Sequence, residues 1–277
     1  MKPKRYQIVV FELILALFAI GCSTLTDKTA FSQDANNSES KLEKITMRSE
    51  ALHKDMNMDV YLPAGYNNQN QYPVLYLIHG YGENEDSWMY DRNLIEKADE
   101  LIENSIINPL IIVSPQVDND FGYGKYEDYI YEDIVSYIDS HYSTQAERES
   151  RYIGGVSMGG NIALRIAFLH SDLFSKAGGH SPALFVDADS SMYPNLAIRR
   201  KRDPIYIAED AELSDVKVYL DCGDKDDHKF YEGCEELFTI LQQKGVDSEY
   251  HLYPGTHQNS YWIAHLDEYL KFYDSGQ

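Results

Sequence analysis

The chain has 277 residues, of which 43% are hydrophobic and 25% are charged. These proportions are ordinary for a globular protein and exclude a fully disordered chain, a collagen and a coiled coil. The 45 acidic and 24 basic side chains give a net charge of −21, so nucleic acids are not expected partners, because the protein would repel their phosphates. Three cysteines are too few for a disulfide scaffold. The length fits one α/β domain of about 250 residues, or two small ones.

The N-terminus predicts an exported protein. A basic start, Met1–Arg5, precedes an apolar run, Ile8–Gly21, that only Glu12 interrupts. As a helix this run would cover about 21 Å, which is shorter than the ~30 Å hydrocarbon core of a bilayer. A short apolar run after basic residues is typical of a signal peptide, so we expect residues 1–21 to be removed. Their removal takes away three basic residues and one acidic residue, which changes the net charge from −21 to −23.

The residues around Cys22 resemble the lipobox of bacterial lipoproteins, in which the signal is cut before a cysteine whose thiol is then acylated. The segment here is Ala19–Ser23, with Ala19 where the family prefers Leu. The resemblance implies that Cys22 anchors the protein to a membrane of the bacterial cell envelope. The alternative is a secreted protein with an incidental cysteine. Residues 22–42 are rich in small polar side chains without periodicity, which predicts a flexible tether.

Residues 43–277 alternate between strand-like and helix-like patterns. Such alternation predicts one α/β domain with a mostly parallel central sheet and helices on both faces. Continuous apolar runs indicate buried strands, and they occur at Pro73–His79, Leu110–Val113 and Val216–Leu220. Apolar residues at helical spacing occur within Tyr126–His141, Phe230–Leu241 and Trp262–Leu270.

A G-x-S-x-G motif, Gly155–Gly159, lies between a short strand-like segment and a helical one. This context is typical of the nucleophile elbow, a sharp turn that exposes a serine at a helix N-terminus. The helix dipole and free N–H groups there favour developing negative charge. Ser157 is therefore the candidate nucleophile. The alternative is a glycine-rich turn in which Ser157 only caps the helix.

A serine nucleophile needs an imidazole base that a carboxylate orients. In chains with a nucleophile elbow, the acid follows the serine and precedes the histidine. His257 follows a strand-like segment, where a base is expected. Asp226 lies in the loop after the strand-like Val216–Leu220 and is the preferred acid. Asp224 and Asp227 in the same loop remain alternatives.

The oxyanion hole of such a site needs two backbone N–H donors. Met158, directly after the serine, is the first candidate, and Tyr81, in the loop after the strand-like Pro73–His79, is the second. His79 is expected to anchor that loop by a hydrogen bond. Trp88 and Trp262 lie close in sequence to the active-site loops, and we expect both to line the substrate pocket.

With these motifs in place, residues 45–274 resemble the esterase D and feruloyl-esterase-like group of α/β-hydrolases. That group includes S-formylglutathione hydrolases, acetylxylan and feruloyl esterases, and mycolyltransferases. Six blocks in the same order carry the resemblance: Val60–Pro63, Pro73–Gly82, Tyr137–Tyr142, Gly155–Gly160, Asp221–Gly223 with Asp226, and Tyr253–His257 with Tyr261 and Trp262.

The resemblance implies an α/β-hydrolase fold and a triad of Ser157, Asp226 and His257. It implies a serine esterase acting on short-chain or aromatic acyl esters, on the carbohydrate-esterase side of the group. The glutathione-thioester hydrolases have Gly-His-Ser where this chain has Gly155-Val156-Ser157, and an exported protein meets little glutathione thioester. Three alternatives remain: an S-formylglutathione-hydrolase-like thioesterase, an acyltransferase to sugars, and a non-catalytic glycan-binding lipoprotein.

No cofactor and no metal are expected, because the acidic cluster at 224–227 lacks the spacing of a calcium loop. Cys222 and Cys234 are expected to be buried free thiols. The expected partners are an ester substrate and the membrane that holds the lipid anchor. The sequence leaves the oligomeric state open.

Overall fold

A computed structural model describes residues 39–119, 126–186 and 193–274. The predicted signal peptide, Cys22 and most of the predicted tether lie outside the described residues. Strand β1 begins at Lys41, two residues before the expected domain boundary at residue 43. Lys41 and Leu42 belong to the sheet because they pair with Leu62 and Tyr61 of the next strand.

The described part of the chain folds around an eight-stranded sheet in the order β1-β2-β4-β3-β5-β6-β7-β8. Strand β2 runs antiparallel to both of its neighbours, and the remaining pairs are parallel. The predicted mostly parallel sheet is therefore confirmed. The strands are β1 (Lys41–Ser49), β2 (Lys54–Leu62), β3 (Val74–Ile78), β4 (Ile111–Pro115), β5 (Arg151–Val156), β6 (Lys176–His180), β7 (Lys217–Gly223) and β8 (Ser248–Tyr253).

Helices connect the parallel strands, and none of those in the described residues is long and apolar enough to cross a membrane. They are α1 (Leu94–Glu103), α2 (Val135–His141), α3 (Met158–Leu169), α4 (Leu196–Arg202), α5 (Pro204–Asp210), α6 (Phe230–Gln243), α7 (Asn259–Ala264) and α8 (Leu266–Tyr273). Two predicted helices differ in detail. A π-helical turn, Tyr129–Ile134, precedes α2, and the pattern at Trp262–Leu270 is divided between α7 and α8, because His265 leaves helical geometry at φ −111°.

The sheet has a hydrophobic core on each face. Strand β3 shows why, because all five of its residues are buried and its side chains alternate between the two cores. Val74, Tyr76 and Ile78 pack in one core with α3 and α6, whereas Leu75 and Leu77 pack in the other with α1 and α8. A strand buried on both faces has to be apolar throughout, which explains the continuous runs in the sequence.

Strand β6 was not predicted from the sequence, because Gly178 and Gly179 leave it without a continuous apolar run. Gly178 lies opposite Gly154 of β5, and a Cβ on either residue would overlap the hydroxyl of Tyr273. The two glycines therefore make room for the Tyr273 ring, which α8 packs against the sheet. The Tyr273 hydroxyl lies 3.2 Å from Nε2 of His180, the last residue of β6.

We expect Gly178→Ala to destabilise the protein by about 1–3 kcal/mol, the usual cost of overpacking a core. Tyr273→Ala should cost about 3–5 kcal/mol through the cavity it leaves. The double variant should be more stable than the sum of the two effects predicts, by at least about 1 kcal/mol, because the cavity accepts the new methyl group. Urea unfolding of the four proteins measures this coupling. Additive effects would show that Gly178 and Tyr273 do not compete for the same space.

Candidate active site

Four loops build the site, and they follow the carboxyl ends of β3, β5, β7 and β8, as is usual in open α/β sheets. The loop after β5 is the turn into α3, where Ser157 has φ 53° and ψ −117°. Residues other than glycine rarely adopt such a positive φ. The backbone strain is tolerated where the surrounding structure enforces this conformation. Here α3 packs closely against the ends of β3 and β5, since a Cβ on Gly155 of β5 would lie 2.5 Å from the carbonyl carbon of Gly159 and 2.6 Å from the Ile78 carbonyl oxygen. A Cβ on Gly159 would collide with the same oxygen.

The structure brings Ser157, His257 and Asp226 together in one hydrogen-bonded chain. Nε2 of His257 lies 2.9 Å from Oγ of Ser157, and its Nδ1 lies 2.8 Å from Oδ2 of Asp226. A nitrogen facing a carboxylate carries the proton, so Nδ1 donates to Asp226 and Nε2 accepts from the Ser157 hydroxyl. The imidazole is therefore oriented to take a proton from the serine.

Asp226 is the only one of the three candidate acids that meets His257 among the described contacts. Its side chain is fully buried, and burial by itself raises the pKa of a carboxyl group. Hydrogen bonds outweigh burial and hold the pKa of Asp226 below its usual value. They come from His257, from the His228 backbone N–H at 2.8 Å and from the Cys222 thiol at 3.4 Å. Asp226 is thus ionised at neutral pH.

The two alternative acids are exposed and point elsewhere. Asp224 accepts a hydrogen bond from the Gly255 N–H at 3.0 Å, so it supports the loop that carries His257 without contacting the imidazole. Asp227 makes no contact with His257 in the described structure. Cys222 and Cys234 are buried and free, which confirms that expectation.

Two backbone N–H groups lie where an oxyanion hole is expected. Met158 is the first residue of α3, so its N–H has no acceptor within the helix. Tyr81 follows β3 and borders the cleft above Ser157. The N–H of Val117 donates to Nε2 of His79 at 3.0 Å. Burial lowers the pKa of His79, so the ring is neutral and its single proton lies on Nδ1, which donates to the Gly80 carbonyl at 2.8 Å.

His79 therefore anchors the loop, as the sequence predicted, and it also sets the direction of the Tyr81 N–H. The Gly80 carbonyl and the Tyr81 N–H belong to the same planar trans peptide, in which they point in opposite directions. Holding the carbonyl against His79 consequently directs the N–H away from the core.

Ser157 opens into a cleft of about 420 Å³. Trp262 borders this cleft, as expected, and its ring meets the His257 imidazole edge to face at 5.0 Å. The remaining lining residues are Gly80, Tyr81, Glu83, His228, Gln258 and Asn259. Four of these were not predicted as lining residues, although each lies within a few residues of a motif: Glu83, His228, Gln258 and Asn259.

The expectation that Trp88 lines the pocket is wrong. Trp88 lies in a π-helical turn, Ser87–Asp91, and its side chain is fully buried. It packs beneath the cleft, with its ring 4.9 Å from the Arg92 guanidinium and 6.3 Å from the His180 imidazole. Proximity in sequence to Gly82 did not indicate which way this turn points its side chains.

A buried polar network supports the nucleophile from below. The Ser157 N–H donates to the His180 carbonyl at 3.0 Å, and Nδ1 of His180 lies 3.1 Å from Asp221. Asp221 also accepts hydrogen bonds from the hydroxyls of Tyr261 at 2.6 Å and Tyr269 at 2.9 Å. Burial lowers the pKa of His180. The described residues contain no group of three His, Cys, Asp or Glu side chains that could hold a metal ion.

Comparison with known proteins agrees with this geometry. A family model described as "Putative esterase" matches residues 49–273. An endo-1,4-beta-xylanase/feruloyl esterase of Xylanibacter ruminicola is 28% identical over 257 residues, which cover 87% of this chain and 32% of that protein. An acetyl esterase of Caldicellulosiruptor saccharolyticus is 25% identical, over 70% of this chain and 80% of that protein. A solved ferulic acid esterase superposes with a TM-score of 0.77 at 27% identity, over 86% of this chain and 98% of that one.

The chain spans about a third of the length of the first of these relatives, so that protein's complete set of activities does not transfer. The family match nevertheless covers most of the chain, and the superposition covers 98% of the solved esterase chain. Both agree with the resemblance seen in the sequence motifs and with the eight-stranded α/β-hydrolase architecture. The chain therefore belongs to this esterase family of α/β-hydrolases.

Proposed function

We propose that the protein is a serine esterase that cleaves carboxylic esters through an acyl-enzyme intermediate. The observation that carries the proposal is the hydrogen-bonded chain from Ser157 through His257 to Asp226, at 2.9 Å and 2.8 Å. A serine hydroxyl, a neutral imidazole with its free nitrogen towards that hydroxyl, and an ionised carboxylate are the three groups that this chemistry needs.

In the proposed reaction, Oγ of Ser157 attacks the ester carbonyl carbon while Nε2 of His257 takes the hydroxyl proton. The carbonyl oxygen becomes an oxyanion that the N–H groups of Met158 and Tyr81 stabilise. Asp226 stabilises the imidazolium, which then gives its proton to the departing alcohol. Water attacks the acyl-serine with His257 again as the base, and the carboxylic acid leaves as the Ser157 hydroxyl is restored.

Substitutions in the triad test this mechanism. Ser157→Ala should lower kcat by several orders of magnitude without unfolding the protein. Asp226→Asn should lower kcat on the order of 10⁴-fold, because the amide no longer holds the imidazole in the productive tautomer. Asp224→Asn and Asp227→Asn, in the same loop, are matched controls and should keep most of the activity. Steady-state hydrolysis of a chromogenic acetate ester measures all four. Undiminished turnover by Ser157→Ala would refute the proposal.

For the substrate, we propose neutral carbohydrates that carry short or aromatic acyl esters. Relatives named feruloyl and acetyl esterase support this class. The cleft offers aromatic surface from Trp262 and His228 beside the amides of Gln258 and Asn259, a combination suited to sugar and aromatic rings. The acidic net charge disfavours polyanionic polymers. Val156, which stands where glutathione-thioester hydrolases have His, supports an ester over a glutathione thioester.

A substrate panel tests this assignment. Methyl ferulate and acetylated xylo-oligosaccharides should be hydrolysed with higher kcat/KM than S-formylglutathione or an emulsion of a long-chain triglyceride. The activity should also fall steeply beyond medium acyl length, because the residues that line the cleft are mostly polar and offer little apolar surface to a long chain. Faster turnover of S-formylglutathione or of the triglyceride would contradict the carbohydrate-ester assignment while leaving the triad intact.

We also propose that the enzyme is exported and lipid-anchored through Cys22, an inference from the sequence alone. One acyl chain binds a membrane only marginally, so stable anchoring needs the several chains that lipoproteins carry. In a bacterial host the protein should be processed before Cys22 and should sediment with membranes. Cys22→Ser should give an unprocessed precursor or a soluble secreted form. Unchanged membrane association of a processed Cys22→Ser protein would contradict the lipid anchor.

A further inference from the structure

A buried arginine lies beneath the cleft and is not explained by the triad. Arg92 directly follows the π-helical turn that carries Trp88, and its side chain is fully buried. The guanidinium is sandwiched between two indole rings, 4.9 Å from the centre of Trp88 and 5.0 Å from that of Trp262. Its Nε and Nη1 have no hydrogen-bond partner among the described residues, so it forms a single ion pair.

The partner of Arg92 in this ion pair is Glu83, which lies in the loop after β3. Nη2 of Arg92 donates to Oε1 of Glu83 at 2.6 Å, and Oε2 of Glu83 accepts from the Gly80 N–H at 2.7 Å. The Glu83 side chain is 22% exposed and borders the cleft. The Glu83 carboxylate thus connects the buried cation to the loop from which Tyr81 offers its N–H.

The loop is consequently held on both sides of Gly80. Its N–H is bonded to Glu83, and its carbonyl is bonded to His79 at 2.8 Å. Since the peptide unit that follows is planar, these two bonds fix the direction of the Tyr81 N–H more tightly than His79 alone could.

The same guanidinium also contacts the part of the site that carries the base. Trp262 stacks on Arg92, meets the His257 ring at 5.0 Å, and donates from Nε1 to Oγ of Ser181 at 3.3 Å. Arg92 therefore contacts Glu83, which holds the loop that carries Tyr81 (the oxyanion loop, residues 80–83), and Trp262, which packs against the His257 imidazole.

Burying a charge with one partner and two nitrogens that lack a hydrogen-bond partner in the described part of the chain is a poor way to gain stability, because desolvation offsets much of the attraction. An apolar side chain between Trp88 and Trp262 would fill the space at lower cost. A role in aligning the site explains why a cation stands there. We propose that Arg92 and Glu83 are positioning residues that hold the oxyanion loop in its reactive geometry. This inference rests on the proposed esterase function.

The test compares three variants with a matched control. Arg92→Met removes the cation, and Arg92→Lys keeps the charge without the planar group. Glu83→Gln keeps the shape, but one of the two donors, the Gly80 N–H or Nη2 of Arg92, then faces an amide NH2 group instead of an oxygen. The control is Arg151→Met, which breaks an ion pair with Asp139 of similar exposure, 7% and 22%, at 2.8 Å. Arg151 begins β5, at the end of the strand opposite to Ser157.

Two measurements separate alignment of the site from general stability. With a chromogenic ester, Arg92→Met and Glu83→Gln should lower kcat by about 10- to 100-fold, part of the loss seen when an oxyanion donor is removed, while KM changes less than about threefold. A trifluoromethyl ketone forms a hemiketal with Ser157, whose oxyanion occupies the same hole. The inhibition constant of the ketone should rise by the same factor by which kcat/KM falls. Arg92→Lys should fall between the wild type and Arg92→Met.

Arg151→Met should lower the melting temperature but keep kcat and ketone affinity. If Arg92→Met does not fold, Glu83→Gln decides the question, because it leaves the stacking between the two indoles intact. Wild-type kcat and ketone affinity in Glu83→Gln would overturn the positioning role while leaving the esterase proposal standing. Equal losses in Arg151→Met would overturn it as well, because the effect would then be general. Hydrolysis that persists in Ser157→Ala would instead refute the esterase function on which the inference rests.

Discussion

The close approach of α3 to the end of β3 is the constraint on which the rest of the site depends. Glycines at 155 and 159 let the helix backbone reach the Ile78 carbonyl, which no side chain would permit. The turn at Ser157, between β5 and α3, has a positive φ, and Ser157 borders the cleft. The close approach also places the start of α3, with Met158, beside the loop after β3 that carries Tyr81, where the proposed oxyanion hole would form.

The low exposure of the site gives its electrostatics their strength. The side chain of Asp226 is fully buried and that of His257 is 11% exposed, so water screens their interaction little. Three donors keep the buried carboxylate ionised, and the ionised form is the one that can orient and stabilise an imidazolium. The exposed edge of the site faces the cleft, where His228 and Trp262 offer aromatic surface to a substrate.

Buried polar groups beneath the cleft hold the proposed reactive groups in place. Asp221 and His180 support the backbone of Ser157 through the end of β6, and Arg92 with Glu83 supports the loop of Tyr81. Each of these groups costs desolvation energy that an apolar core would avoid. Such a cost is common at functional sites, where local geometry is kept at the expense of stability.

Apolar periodicity and the glycine spacing at the elbow are local properties of the chain, and they were sufficient to predict the sheet type and Ser157 as the candidate nucleophile. The ordered motifs predicted His257 as the candidate base and indicated the family. The candidate anchor at Cys22 also rests on sequence alone. The contact of Asp226 rather than its two neighbours with His257, the burial of Trp88 in the core and the contact of Arg92 with Glu83 depend on the tertiary structure. Which way a loop side chain points depends on packing against residues distant in sequence, and no local pattern records those contacts.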